Sequence, residues 1–487
     1  MHIRLPGPRS ASWVLAETAV SAVLSLLSML AISRVIGPQE AGTGAVAVAA
    51  FLVLDILGSA LFPDALVQRP HLAGRTLRTA ITASVLLGMG TGLVLAGAAP
   101  ALAGVMEQEA VAWLVLALAP LLPFSAFSGT ASGAAMREQR FRLLAMRVLV
   151  GQPLALGAGL LAAHGGLGAW AMVVNQAVAT ASVFALFLMF GRLPLRPALD
   201  LAALRELWPV AGPQIGALLV TLGRYRLFLL ALGAMVAEAV LGQAHLAFRM
   251  VDAVAMMVWQ AAARIGMPRL CALQHDRPAL AACYGQIAQL QALLGLSSAV
   301  GIALVADDLV LALLGPEWAG TGSAAAVAAW AAALTFLHGN HFSLFVAVGK
   351  ARLNLHVAAA QLAVPLLALL LLQPATPTGV ALAWATGSLV VTPPVAWVVL
   401  RELDRSLPWL LRQVAPAILA VAAMVPAVLL VQGLLGEAPP LLRCLAAAAA
   451  GLAVFGAVAW TLLRGRLPEA LLCRPGTGLP AASTERA

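Results

Sequence analysis

The amino-acid sequence predicts an all-α polytopic membrane protein of about fourteen transmembrane helices. Three observations carry that expectation. Of 487 residues, 62% are hydrophobic and only 10% are charged, too few charges to clothe a soluble core of this size. Apolar runs of roughly 20 residues recur along the whole chain, each long enough to cross a bilayer as a helix. The runs are rich in Ala and Leu, tolerate Gly and Pro, and lack the period-2 alternation of a barrel strand.

Taken in order, the apolar runs place spans at 11–33, 41–62, 79–105, 110–133, 147–163, 167–190, 207–231, 238–262, 281–305, 324–348, 355–372, 378–400, 413–432 and 441–463. The first follows Arg4 and Arg9, a charge pattern shared with secretory leaders. It is too long for one and is interrupted by Ser21, Ser25 and Ser28, so it reads as an uncleaved helix. Ser33 to Gly42 reads as a short loop, followed by span two and a basic loop through Arg69-Pro70. The longest loop expected on the outer side runs from about Ala306 to Ser323.

Counting Lys and Arg orients the chain, because cations collect in cytoplasmic loops. With the N-terminus inside, 24 of the 29 cations fall in inner segments. Arg34 and Arg443 lie in or beside outer loops, and Arg224, Arg226 and Arg249 fall within spans. One misplaced span would reverse the later alternation. Both termini are therefore expected in the cytoplasm. The same bookkeeping accounts for the net charge of +9 without nucleic acid. Cys271, Cys283, Cys444 and Cys473 have no paired or metal-ligand spacing. No P-loop is present, which argues against ATP hydrolysis within the chain.

The chain repeats itself. Leu232-Gly233, then Glu238-Ala239 and Gly242, lead into an apolar run ending at Arg264-Ile265-Gly266-Met267-Pro268-Arg269, a second version of the unit that starts at Ser33. Gln139-Arg140-Phe141-Arg142-Leu143 is paralleled by Gly349-Lys350-Ala351-Arg352-Leu353, and Gly168-Ala169-Trp170-Ala171 by Ala383-Trp384-Ala385 and its neighbours. A six-span unit returns the chain to its starting side, so two such units run parallel. The expected division is an N-terminal lobe 1–190, a cytoplasmic linker 191–206, a C-terminal lobe 207–405, two added helices within 406–465 and a cytoplasmic tail 466–487.

The motifs Ser33-Arg34-Val35-Ile36-Gly37-Pro38, Ala65-Leu66-Val67-Gln68-Arg69-Pro70, Phe141-Arg142-Leu143 and Gly168-Ala169-Trp170-Ala171, in this order over about residues 10–465, resemble those of bacterial polysaccharide-repeat flippases. These belong to the multidrug/oligosaccharidyl-lipid/polysaccharide exporter superfamily. The resemblance implies two six-helix lobes around a central cavity. It also implies a substrate built on polyprenyl pyrophosphate, carrying a glycan repeat from the inner to the outer leaflet by alternating access. The pathway implied is surface polysaccharide synthesis: lipopolysaccharide O-antigen, capsule or exopolysaccharide. The partners implied are the lipid-linked glycan, membrane lipids, and a polysaccharide polymerase with its chain-length machinery. An enzyme and a cofactor are not expected; proton or sodium coupling is an open alternative. Span two departs from the commoner pattern in its small residues Gly42, Gly44 and Gly58.

Charges within spans are few, and each must face protein or water. In span one, Glu17, Ser21, Ser25 and Ser28 recur on one helix face. They either line a cavity or let helices approach closely. Span seven carries Gln214, Thr221, Arg224, Tyr225 and Arg226. Arg224 and Arg226 point to different faces; Arg224 continues the polar stripe and could grip a diphosphate in a bidentate fork, while an arginine snorkelling to headgroups is the alternative. In span eight, Arg249 and Asp252 form either a self-neutralising pair or a pair that protonation of Asp252 releases. Asp55 sits near the equivalent place in span two. His338, Asn340 and His341 fall mid-span in span ten, as titrating groups, sugar contacts or interhelical hydrogen bonds. A small-molecule or drug exporter and a membrane polymerase or ligase are the competing functions. Arginines in a cavity disfavour cationic cargo, and catalysis would need a larger external loop than 306–323.

Overall fold

The structure is a computed structural model that describes residues 8–68, 73–194 and 196–464. The tail 466–487 and the Arg69-Pro70 end of the first repeat motif lie outside the described residues, as do the side chains of Glu17 and Gln214. Sixteen α-helices and no strands occur among the described residues. Twelve stretches there are long and apolar enough to cross a membrane. The chain is a multi-pass helical membrane protein. Its surface fits that environment, since Leu161, Leu434 and Leu371 are 78%, 76% and 74% exposed. In water such side chains would be a liability; in lipid they are solvated. The buried interior is dominated by Ala with scattered Phe and Leu. Small residues let backbones approach where no hydrophobic effect drives association.

The expected loop at Ser33–Gly42 is helix. A single element, α1 (Pro8–Ser59), runs through it and breaks only at Gly37, where φ is 80° and ψ 170°. That conformation is essentially confined to glycine. Pro38 then restarts the helix at a position where a missing N–H does no harm. One of the twelve apolar stretches, Val23–Gln68, accordingly takes in the end of the first expected span and the whole of the second. The expected span seven lies in α8 (Leu201–Gly233), which falls outside the twelve. The count of fourteen therefore does not appear as such.

Between them come α2 (Pro63–Gln68), α3 (Gly74–Val105), α4 (Glu109–Leu118), α5 (Leu122–Arg137), α6 (Phe141–His164) and α7 (Trp170–Phe190). A 3-10 turn with Pro120 joins α4 to α5 inside expected span four. Asp200 ends the linker in extended backbone, and its carboxylate accepts the Ala202 amide at 3.0 Å and caps α8. The end of the expected linker, 201–206, thus forms the first turns of α8. Arg75 of α3 holds Asp200 in an ion pair at 2.5 Å. α8 is followed by α9 (Glu238–Ala272) and α10 (Arg277–Leu313). The expected outer loop 306–323 shrinks to a turn around Gly315 and one 3-10 turn, Pro316–Trp318, because α10 continues and α11 (Ala319–Phe336) begins early. Expected span ten is broken: α11 ends, Gly339 turns at φ 77°, and α12 (His341–Ala347) restarts. The remaining helices are α13 (Arg352–Leu372), α14 (Pro377–Leu403), α15 (Leu407–Leu434) and α16 (Pro440–Leu462).

Two compact units emerge. The first comprises Met1–Ala253, Ala306–Ala328 and Leu355–Val391. The second comprises Val254–Val305, Ala329–Asn354 and Thr392–Ala487. Within the first, α1 and α9 cross so closely at Gly42 and Gly242 that a Cβ on Gly42 would fall on the Glu238 carbonyl, and one on Gly242 on the Pro38 carbonyl. Gln108 bridges the same crossing, accepting from Thr43 at 3.1 Å and donating to Glu238. Within the second, α15 packs along α16, with Gly451 admitting Val428 and Met424.

Candidate substrate site

The charges of spans two, seven and eight converge in the first unit. On α8, Arg224 donates from Nη1 to Oε1 of Gln361 on α13, and its Cζ lies 5.7 Å from the ring centre of Trp384 on α14. Asp252 of α9 lies within electrostatic reach of both Arg224 and Arg249. Arg249 donates to Ser25 Oγ of α1 at 2.9 Å. It is therefore no closed pair with Asp252; it shares that carboxylate with Arg224 and reaches across to α1. Arg226, on the other face of α8, lies in the field of Asp55. Asp55 in turn accepts from Ser59 at 3.3 Å and from Ser125 of α5. Among the described residues, three guanidinium groups thus face two carboxylates, and with all five ionised these groups retain one positive charge. In a poorly solvated setting such an excess attracts an anion more strongly than it would in water.

Aromatic side chains wall the cluster. Trp384 packs against Phe228, Phe248 and Tyr225 with centroids 4.8, 5.6 and 5.8 Å apart. Each such pair is worth about 0.5–1.5 kcal/mol beyond area burial. The Tyr225 hydroxyl meets Nδ1 of His245 at 2.6 Å, with the two rings stacked at 5.8 Å. This wall fixes Arg224 from beneath while Gln361 fixes it from the side, leaving further guanidinium N–H groups to donate.

Other sequence candidates are placed less centrally. Ser21 is half-buried and Thr221 exposed. Ser28 is buried with a hydroxyl that finds no partner. His338 and Asn340 belong to the second unit. There the Asn340 side chain caps α12 by accepting the Ser343 amide at 3.1 Å. The His338 carbonyl accepts from Tyr284 at 2.6 Å, and its ring lies 5.0 Å from that of His341. Among the described residues, no group of His, Cys, Asp and Glu has the makings of a metal site.

A profile for a family described as polysaccharide biosynthesis protein matches residues 31–322, more than half of the chain. The chain belongs to that family. No curated protein matches this member. Its fold is similar to a lipid II flippase, MurJ, in an inward closed conformation: TM-score 0.69, 10% identity, 91% of this chain and 98% of that one. It is also similar to a multidrug resistance MATE family transporter of the MOP superfamily in an inward-facing conformation, with TM-score 0.64, 14% identity, and 79% and 94% coverage. A MOP superfamily transporter from Pyrococcus furiosus gives TM-score 0.52 at 14% identity, covering 81% and 95%. At these identities the likeness establishes the fold.

Gln361, Trp384 and His245 are parts of the cluster that the sequence does not announce, and Tyr225 stood out only as a neighbour of Arg224. Rarity was the available signal for Tyr225, since the chain has only two tyrosines and eight histidines. Trp384 was visible as a repeat marker opposite Trp170, with no hint that it underlies a cation.

Proposed function

We propose that this family member is a flippase. It turns polyprenyl-pyrophosphate-linked oligosaccharide repeats from the inner to the outer leaflet of the bacterial inner membrane, for surface polysaccharide synthesis. The observation that carries the reading is the clustering of Arg224, Arg226 and Arg249 against, among the described residues, Asp252 and Asp55. A diphosphate brings the negative charge that this cluster lacks, and charge-assisted hydrogen bonds to guanidinium groups are the strong kind. In this reading two six-helix lobes, 1–190 and 207–405, alternate access to the cluster, with both termini in the cytoplasm. Arg224 holds the diphosphate. Arg249 binds it when released from Asp252, so the protonation or ion binding of Asp252 couples to capture; Asp55 does the same for Arg226. The glycan lies beyond, among polar groups such as Ser21, Ser25 and Thr221.

The family assignment and the flippase and transporter folds support this reading, and the excess of arginine argues against a drug exporter for cations. The shortness of the 314–318 turn leaves little external surface for a polymerase or ligase. The test is transport of a fluorescent polyprenyl-diphosphate disaccharide in proteoliposomes. Wild-type protein should move it between leaflets, while the Arg224→Ala/Arg249→Ala protein, reconstituted to the same density, should not. Equal transport by both would end the proposal.

A further inference from the structure

The second unit has a cavity of its own. It measures about 610 Å³ and is lined by Lys350, Arg352, Leu353, Trp397, Arg401 and Glu402, where the start of α13 meets the end of α14. Lys350 is the only lysine in the chain; the other 28 basic residues are arginines. Its Nζ lies 2.5 Å from the Glu402 carboxylate, which is mostly shielded. Arg401 lies over the Trp397 ring at 5.5 Å, and that indole is 61% exposed. Arg352 is exposed and makes no ion pair among the described residues. Gly349, at φ 74°, has open space for 4 Å around the point where a Cβ would project, so the mouth stays open. One carboxylate thus faces three cations around a cavity with an apolar wall. A second arginine–tryptophan pair, Arg405 and Trp409 at 5.9 Å, follows one turn on. Tryptophan beside arginine at the end of a membrane helix marks the headgroup layer.

We infer that this cavity binds the phosphate of a lipid, its guanidinium groups on the headgroup and its Leu353–Trp397 wall along the chains. Basic pockets between membrane helices at headgroup depth recognise anionic lipids in this way. The site is distinct from the cluster around Arg224, and it does not depend on the proposed transport. Two lipids present the required group: an ordinary anionic phospholipid, and a polyprenyl diphosphate.

The single lysine makes the test direct. Purified protein in nanodiscs is treated with an amine-reactive reagent, and modification at Lys350 is followed by mass spectrometry. The nanodiscs contain phosphatidylcholine alone, phosphatidylcholine with phosphatidylglycerol, or phosphatidylcholine with undecaprenyl diphosphate. Either anionic lipid should slow modification. Removing Arg352 or Arg401 by substitution with Gln should cut that protection about fivefold each, the scale of one cation at a charged membrane surface. Glu402→Gln should strengthen protection, an effect that misfolding cannot imitate. Protection by phosphatidylglycerol assigns a phospholipid site; protection by the diphosphate lipid alone assigns a second site for the prenyl carrier. Equal modification in all three nanodiscs, or protection unchanged in the Arg352→Gln/Arg401→Gln protein, overturns the inference.

Discussion

Arg224 is held by one amide and one indole, and that economy defines what it can do. Lysine at this position keeps the charge and loses the planar fork that lets one side chain grip two oxygens. Arg224→Lys should therefore retain part of the transport, and Arg224→Ala should lower it by about tenfold or more, the scale of one charge-assisted hydrogen bond of about 1.5–3 kcal/mol. Membrane abundance should stay near normal, since removing a cation lightens insertion. Outer-leaflet glycan per unit of protein is the measurement, and normal flipping by Arg224→Ala sinks the role. For Asp252, the network predicts asymmetry. Asp252→Asn leaves Arg224 and Arg249 without their shared carboxylate and should reduce yield; Arg249→Ala/Asp252→Asn should restore it. If the double variant also transports at the wild-type rate, Asp252 couples nothing. At this scale the cluster was half legible. A charge stands out in an apolar run, so Arg224, Arg226, Arg249, Asp252 and Asp55 were visible in the sequence. An amide or an indole does not, and Gln361 and Trp384 reach Arg224 from helices more than 130 positions away. The hydrogen bond from Arg249 to Ser25, made besides its pairing with Asp252, was equally hidden, because local spacing pointed to the neighbour three residues along.

The helices were the most legible elements, since every apolar run of membrane length is helical, although the first two share α1 and the fourth and tenth are each broken in two. Their ends were not, for a physical reason. Arginine side chains cap several of them: Arg34 donates to Leu313 at the end of α10, Arg137 to Leu66 near the end of α2, and Arg140 to Phe190 and Gly191 at the end of α7. Capped carbonyls favour helix running past its apolar window into polar sequence, as α10 does to Leu313 inside the expected loop 306–323. Arg140→Ala should lower thermal stability by about 1 kcal/mol, the worth of a typical hydrogen bond, measured by unfolding in detergent. Gly37→Ala should be harsher, about 1–3 kcal/mol, because alanine cannot take φ 80° and ψ 170° without strain. An unchanged melting temperature for Gly37→Ala would mean that the break relaxes into continuous helix.

Across the whole molecule, the distribution of basic residues makes a claim about sides that geometry leaves open. Lys350 offers a clean check, because no other lysine competes for an amine reagent. An impermeant reagent should leave Lys350 untouched in intact cells and modify it in inside-out vesicles. Cysteine introduced at Glu109 or Glu437 should show the opposite preference with an impermeant thiol reagent. Modification of Lys350 from outside would reverse the proposed orientation and the direction of transport with it.

The crossing of α1 and α9 has a consequence for how such a chain could arise. Gly42 and Gly242 hold matching places in the two repeats expected from the sequence, and a Cβ on either would fall on a backbone carbonyl of the facing helix, that of Glu238 or of Pro38. A contact in which a residue meets its own counterpart is self-complementary, the geometry of a two-fold dimer. A single six-helix ancestor with this glycine would carry a ready-made interface for its twin, and joining two genes end to end would only have made the pairing permanent. The joint should still work without the link. Residues 1–196 and 197–487, cut ahead of α8 and produced as separate chains, should copurify from the membrane, and Gly242→Leu in the second should part them.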